Sequence, residues 1–482
     1  MSKGSHFQLI VVGAGPGGMA AAVGAYDAGL RNILVVDRND CAGGILPQCI
    51  HEGFGRDEEG RPLTGPEWVG MWKNRLEARS IPVQTMTTVL DIDFQSRPFR
   101  LRFLSRDKGA GVLTADSLVL SMGCRERTLG QMRIPGSRPA GIFTAGSAQY
   151  MMNRQNLLPG KNAVILGSGD IGLIMARRLL LEGLNVKLIL GEKASGLARN
   201  HIQCVRDFGT PIRFGWTLLS THGYKRLTGV SIAPVDEAGK VDLTKKEYIR
   251  CDTLLVAAGL IPETELFKPA NVSLTDKGGI PAGAWGDTAV PGVFACGNVT
   301  RIYDLVEDVA RDGLRAGSGA AAFVLGGGKE TAAGDMQGIS LGKEPGYEIL
   351  EDLKPDELVC ILCPRGCRIS RSQPEKGGLC ERGREYALSE IKDPRRTLTT
   401  TVKLRGTGTD VWPEKLVPAR SREPIPKGIW KEAMKKIRDL SVNAPVKEGQ
   451  ILLENICHTG IPLVASAYAD AEGEATERGE DL

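Results

Sequence analysis

Two G-x-G-x-x-G turns, each set between an apolar strand and a helix-forming run, and four cysteines gathered behind a small-residue stretch predict the fold class. It is α/β: two Rossmann-like dinucleotide-binding folds and a small C-terminal α+β cysteine-rich module. The 482 residues suffice for two to four domains, because a single domain usually holds about 100–200. The 61 glycines come with alternating apolar runs and so read as tight strand-to-helix turns rather than as disorder.

The first turn lies in "FQLIVVGAGPGGMAAAVGAYDAGLRNILVVDRN". An apolar strand from Phe7 to Val12 runs into Gly13, Gly15 and Gly18, then an Ala-rich helix, then a second strand ending at Asp37. The glycines let backbone approach a pyrophosphate, the helix N-terminus offers free N–H groups, and Asp37 can bind ribose hydroxyls. The second turn, in "KNAVILGSGDIGLIMARRLLLEGLNVKLILGEK", repeats the spacing with Gly167, Gly169 and Gly172. Two such sites suggest one tightly held dinucleotide and one exchangeable one. Asp37 lies 24 residues beyond Gly13, and the same step from Gly167 reaches Gly191, with Glu192 and Lys193 following. Glu192 can take a 2′-hydroxyl and favour NADH, whereas Lys193 or Arg199 can meet a 2′-phosphate and favour NADPH. Both remain open at this point.

Lys plus Arg number 61 against 57 Asp plus Glu, too even a balance to steer the chain toward nucleic acid or anionic lipid. Small molecules and proteins are the expected partners. No apolar run reaches the ~18 residues of a membrane helix, so no membrane insertion is expected. Eleven cysteines, seven scattered and four clustered, fit a reducing compartment, and a cytoplasmic location is expected.

Residues 329–350 replace the α/β pattern with small and polar residues and read as a linker. Then comes "LVCILCPRGCRI", in which Cys360, Cys363 and Cys367 are spaced C-x-x-C-x-x-x-C, with Cys380 in "GGLCERG" as a fourth thiol. Two short spacings let a compact loop surround three corners of a cubane while the distant cysteine closes it, and Gly366, Gly377 and Gly378 permit the tight path. The reading taken is a [4Fe–4S] cluster, with tetrahedral zinc as the rival and two disulfides disfavoured by a reducing cytosol. Cys457 and His458 form a lone pair after a strand and read as packing. The end, "ADAEGEATERGEDL", is acidic and poor in large apolar residues, so residues 466–482 read as a disordered, solvated tail.

"ADSLVLSMGCRER", "CDTLLVAAGLIPETEL" and "TAVPGVFACGNV" resemble recurring segments of the pyridine nucleotide-disulfide oxidoreductase superfamily, over roughly residues 5 to 328. The resemblance implies an FAD-binding domain of residues 5–128 and 253–328, interrupted by an NAD(P)-binding domain of residues 129–252. It places the crossing out near Gly123 and the return near Gly259. Gly297 and Asn298 fall in the segment that contacts the FAD ribityl chain, with Asn298 where an Asp is usual. The helix after it, from near Asp304, would aim its N-terminus at the flavin pyrimidine edge. Many members carry a C-x-x-x-x-C disulfide beside the flavin after a Gly-Gly pair. Here "CAGGILPQCIHEGFG" keeps the pair, with Gly44, but has Leu46 and His51 at the matching positions, so the disulfide is absent. Cys49 and His51 remain as a candidate nucleophile and proton donor, against the alternative that Cys49 packs and His51 binds backbone or phosphate. Burial accounts for Cys41, Cys124, Cys204, Cys251 and Cys296.

"GGILPQCIHEGFG", "LTGPEW" and "GSGDIGLIMARR" resemble a narrower family of FAD-dependent oxidoreductases that accompany glycerol-3-phosphate dehydrogenase subunits or resemble parts of amine- and opine-oxidising complexes. That implies a partner flavoprotein dehydrogenase subunit or other redox protein, in a homo- or hetero-oligomer. The module of residues 351–465, with "CPRGC", "CERGREYALSEIKDPRRTLTTTVKL" and "ENICHTG", resembles a small domain of uncharacterised function and the cysteine-rich start of molybdopterin oxidoreductases; no molybdenum is expected. The expected activity is an FAD-dependent NAD(P)H oxidoreductase passing electrons between nicotinamide, flavin and a [4Fe–4S] cluster. The alternatives are a flavin dehydrogenase or oxidase acting directly on a small amine or polyol, and a flavoprotein subunit with a zinc-bound docking module.

Overall fold

The computed structural model describes residues 5–191, 205, 208–236, 238–327, 356–360, 367–378, 380–405 and 415–469. The expected linker, Glu192 and Cys363 lie outside the described residues, as do residues 470–482 of the expected tail; its first residues, 466–469, are instead packed, with Ser466 buried and Ala469 exchanging backbone hydrogen bonds with Val446. The fold is α/β, and the described residues fall into two compact units, one within Met1–Arg125 and Leu260–Ile339, the other within Glu126–Gly259 and Ser340–Leu482. Among the described residues no helix is long and apolar enough to cross a membrane.

Unit 1 begins with β1 (His6–Val12), α1 (Pro16–Asp27), β2 (Ile33–Val36), α2 (Gly65–Glu77), β3 (Val83–Gln84), β4 (Thr87–Asp93), β5 (Phe99–Ser105) and β6 (Gly109–Leu120). β1 lies between β2 and β6, parallel to both. A central parallel strand is covered on both faces, and its side chains alternate accordingly. Leu9 and Val11 join one core with the alanines of α1, while Ile10 and Val12 join another with Phe99, Leu101 and Leu118. α2 starts at a capping box in which Thr64 and Glu67 satisfy each other's backbone N–H groups.

The chain then builds unit 2 with β7 (Ile142–Thr144), α3 (Ala145–Gln155), β8 (Asn162–Leu166), α4 (Asp170–Leu181), β9 (Asn185–Gly191), β10 (Ile212–Phe214), β11 (Trp216–Gly223), β12 (Leu227–Pro234), β13 (Glu247–Arg250) and β14 (Thr253–Val256). The parallel sheet runs β7-β14-β8-β9-β10, and β11-β12-β13 form an antiparallel meander. β8 repeats the logic of β1: Ala163 and Ile165 face α3 and α4, whereas Val164 and Leu166 pack with Leu218, Val230 and Ile232 of the meander.

Returning to unit 1, β15 (Val293–Ala295) adds to the far edge of β6, and α5 (Val306–Leu325) lies along α1. The two helices meet backbone to backbone. A Cβ on Gly317 would lie 1.9 Å from Ala21 O, so only glycine fits that crossing.

The rest of unit 2 comprises the hairpin β16 (Glu357–Val359) and β17 (Arg368–Ser370), α6 (Glu381–Lys392), β18 (Thr399–Arg405), β19 (Leu416–Ser421), α7 (Trp430–Arg438), β20 (Ser441–Asn443), β21 (Ile451–Leu453) and β22 (Leu463–Ala465). The sheet order is β20-β18-β19-β22-β21. This α+β layer shares a core with the parallel sheet's helices. Leu181 of α4 belongs to the cluster of Leu398, Val417, Trp430 and Ile437, and Val359 belongs to the core under α3 and α4. Between them lies Arg178, only 6% exposed. Its Nε donates to Asn153 Oδ1 (2.8 Å), Nη1 to Thr400 Oγ1 (3.5 Å) and Nη2 to Thr401 Oγ1 (3.3 Å). It also pairs with Glu182 at 2.6 Å, and Glu182 accepts a further bond from Arg438 at 3.3 Å.

Candidate functional site

In unit 1 the turn after β1 is built as its spacing predicts. Gly13 takes φ +104°, a conformation open to glycine, and a Cβ there would lie 2.3 Å from Ser121 O. A Cβ on Gly18 would meet Gly13 O at 1.8 Å, so helix and turn are in backbone contact. α1 begins at Gly15 with no side-chain cap and no acidic residue in its first turn. Its leading N–H groups are therefore left for an anion. Gly44 folds over this turn, for a Cβ on it would lie 3.0 Å from Gly15 Cα. Asp37 follows β2 and is 7% exposed; Oδ2 accepts from Ala14 N–H (2.6 Å) and Oδ1 from Asn39 N–H (2.8 Å). Arg38 clasps Glu263 through two bonds (3.0 and 3.1 Å), and Glu263 N–H donates to Gly123 O (3.0 Å). The hydrogen bond from Glu263 raises the Arg38 guanidinium above its ordinary range. Sequence reasoning missed Arg38 and Glu263, which lie 225 residues apart.

A second group of contacts comes from the segment before α5. Gly297 N–H donates to Asp312 Oδ2 (2.7 Å). Asn298 Oδ1 accepts from Tyr303 N–H (3.0 Å), and its Nδ2 donates to Cys124 Sγ (3.5 Å). A carboxylate thus stands beside Gly297, supplied by Asp312 of α5 in place of residue 298. Nothing in the sequence sets Asp312 apart from Glu307 and Asp308 on the same helix. Burial first, then the Asp312 charge, pushes the Cys296 thiol and the Tyr303 hydroxyl each up to about 12.

Cys49 and His51 lie on either side of Ile50 just before a short strand, Glu52–Arg56. The Cys49 thiol is 6% exposed, donates to Ile45 O (3.4 Å), and is pushed up to about 12 by burial. At neutral pH it is a thiol, and a thiol is a weak nucleophile. His51 Nδ1 is 2.9 Å from Glu52 O, and its ring packs on Phe54 with centroids 5.0 Å apart.

In unit 2 Gly167 has φ +119°, and a Cβ on Gly172 would lie 2.1 Å from Gly167 O, repeating the contact of Gly18 with Gly13. α4 begins at Gly169 without a side-chain cap. Farther along, the hairpin β16–β17 brings Cys360 and Cys367 together: Cys360 N–H donates to Cys367 O (2.9 Å). Cys380 caps α6. A Cβ on Gly383, one turn into that helix, would lie 3.6 Å from Cys360 Sγ and 3.7 Å from Cys380 Sγ. Two thiols therefore flank one bare helical position in the first turn of α6, where the helix dipole favours negative charge. Among the described residues no three His, Cys, Asp or Glu side chains are grouped to hold a metal ion.

The family model described as Pyridine nucleotide-disulphide oxidoreductase matches residues 7–313, and one described as Protein of unknown function (DUF1667) matches residues 381–467. Hydrogen cyanide synthase subunit HcnB of Pseudomonas protegens is 26% identical over 317 residues, 60% of this chain and 65% of the relative. An opine oxidase subunit of Agrobacterium tumefaciens is 30% identical over 293 residues, 56% of this chain and 55% of the relative. The chain thus spans less than two thirds of the length of either. The crystal structure of T. acidophilum thioredoxin reductase covers 66% of this chain and 99% of its own at TM-score 0.54 and 21% identity, a likeness of fold.

Proposed function

The chain belongs to the pyridine nucleotide-disulphide oxidoreductase family, and from that premise we propose that it is an FAD-dependent NAD(P)H oxidoreductase with a [4Fe–4S] cluster in its C-terminal module. The observation that carries the reading is the repetition of one strand–turn–helix geometry in units 1 and 2, followed by the Cys360 and Cys380 thiols on either side of Gly383. When bound, FAD and NAD(P)H supply hydride exchange between nicotinamide and flavin, and a cluster accepts single electrons.

The residues of unit 1 fit FAD. The uncapped first turn of α1 receives the pyrophosphate, Asp37 holds ribose hydroxyls with the lone pairs that Ala14 and Asn39 leave free, and Arg38 with Glu263 fixes the segment that carries it. Asn298 and the N–H groups at the start of α5 address the ribityl chain and the pyrimidine edge. Cys296, Tyr303 and Cys49 keep their protons at neutral pH, which reserves proton exchange for His51 or water. In unit 2 the turn of Gly167, Gly169 and Gly172 receives the second pyrophosphate. Cys360, Cys363, Cys367 and Cys380 are the ligands proposed for the cluster, and the first turn of α6 offsets its negative charge.

The partner proposed is a glycerol-3-phosphate or amine dehydrogenase subunit in the cytoplasm; HcnB and the opine oxidase relative are both named as subunits, which supports a multi-chain assembly. Anaerobically purified full chain should show flavin absorption and about four irons. Zinc or no metal would overturn the cluster; a colourless protein even after reconstitution with FAD would overturn the whole reading. Co-purification from native cells should bring a glycerol-3-phosphate or amine dehydrogenase along, and its steady absence would remove that partner.

A further inference from the structure

The two dinucleotide turns differ at the residue that closes the second strand, which register identifies; the second turn also opens its helix on Asp170, where the first opens on Pro16. In unit 1 Val12 pairs with Val36, Gly13 N–H donates to Val36 O (2.8 Å), and Asp37 comes next. In unit 2 Leu166 pairs with Leu190, Gly167 N–H donates to Leu190 O (2.7 Å), and Gly191 comes next. Gly191 therefore stands where Asp37 stands, and Ser168 where Ala14 stands. A Cβ on Gly191 would lie 1.8 Å from Ser168 Oγ and 2.4 Å from Ser168 Cβ. The serine side chain occupies the volume that an acid at 191 would need. The two positions are enclosed alike, Asp37 at 7% exposure and Ser168 at 5%. What differs in that one volume is charge: a carboxylate after β2, a neutral hydroxyl after β9.

Resting on the reading of unit 2 as the NAD(P) site, we infer that this site selects the 2′-phosphorylated dinucleotide, NADPH, and that Ser168 is the residue that sets the choice. A carboxylate at the end of the second strand accepts the 2′-hydroxyl and repels a 2′-phosphate. By filling that space, Ser168 keeps a carboxylate out of position 191, which removes that acceptor and that repulsion, and a hydroxyl sets no negative charge against a phosphate. Glu192, Lys193 and Arg199 lie outside the described residues, and the inference rests on Ser168 and Gly191 alone.

The test is binding of adenosine 2′,5′-bisphosphate and of adenosine 5′-monophosphate to the full chain by calorimetry, with initial rates of dye reduction by NADPH and NADH alongside. The bisphosphate should bind about tenfold tighter or better, and kcat/KM should favour NADPH by a similar factor. Equal or tighter binding of the monophosphate overturns the inference while leaving the site intact. Binding of neither overturns the site itself, and the inference with it. Gly191→Asp alone is expected to misfold against Ser168, so the second variant is Ser168→Gly with Gly191→Asp. Folded, that variant should move the NADPH-to-NADH ratio about tenfold toward NADH; an unchanged ratio would also sink the inference.

Discussion

Arg178→Met removes the charge at the seam between α4 and the C-terminal layer while keeping most of the side-chain volume. The change strips three hydrogen bonds, to Asn153, Thr400 and Thr401, and leaves Glu182 paired with Arg438 alone. Burial holds the Arg178 guanidinium below its ordinary range, and the neighbouring Glu182 carboxylate opposes that shift. Breaking one side of such a buried pair costs about 3–5 kcal/mol, because the surviving charge stays desolvated. At roughly 2 °C per kcal/mol for a large unit, the melting temperature should fall by about 6–10 °C. Replacing both partners, Arg178→Met with Glu182→Leu, should recover most of that loss, since Arg438 is half-exposed and can turn to water. Differential scanning fluorimetry of the four proteins completes the cycle, and hydrogen exchange should rise together in α4 and in β18. If the single variant melts within about 1 °C of the parent, or the double variant melts as low as the single, the shared buried pair is not what joins the layers.

Glu390, 7% exposed, accepts from Arg396 (2.7 and 2.9 Å) and Lys427 (2.6 Å). Burial works to raise its carboxyl, but these bonds outweigh it and the net shift is downward. A lowered folded value means that the stabilisation is complete above the unfolded value, near 4.5, and is lost as pH falls through the folded one. Glu390→Gln should cost about 3 kcal/mol at pH 7 and flatten the acid limb of the urea-denaturation profile; an unchanged limb would count against the network. Cys49→Ala should retain dye reduction within about threefold, and native Cys49 should resist iodoacetamide at pH 7.5 in peptide mapping; a hundredfold loss of rate would restore it as a nucleophile. Its raised thiol adds stability that is full below about 9 and fades as pH rises toward about 12. Gly317→Val should eject flavin from purified protein, because the added carbons meet Ala21 O; full flavin content would contradict the close crossing of α1 and α5.

Local pattern made much of this protein legible. The strand, glycine turn and helix at residues 7–27 and 162–181 each announce themselves in local spacing, although each turn also presses on a distant strand, Gly13 on Ser121 and Gly167 on Ala257. The cysteine spacing likewise announced a cluster of thiols before the hairpin and the α6 cap brought Cys360 and Cys380 to Gly383.

What sequence could not supply were the partners chosen across long separations. Arg38 on Glu263 joins residues far apart in the chain, and even the nearer pairs, Asp312 beside Gly297 and Ser168 in the space above Gly191, follow from how sheets and helices stack, and no periodicity encodes that. The same holds for the C-terminal layer, which reads as a separate module behind a linker yet shares Leu181, Val359 and the Arg178 pair with the parallel-sheet part of unit 2. Composition fixes which groups need burial and which need a counter-charge; only the packed chain decides which distant residue meets the need, because desolvation penalises every arrangement that leaves a charge alone.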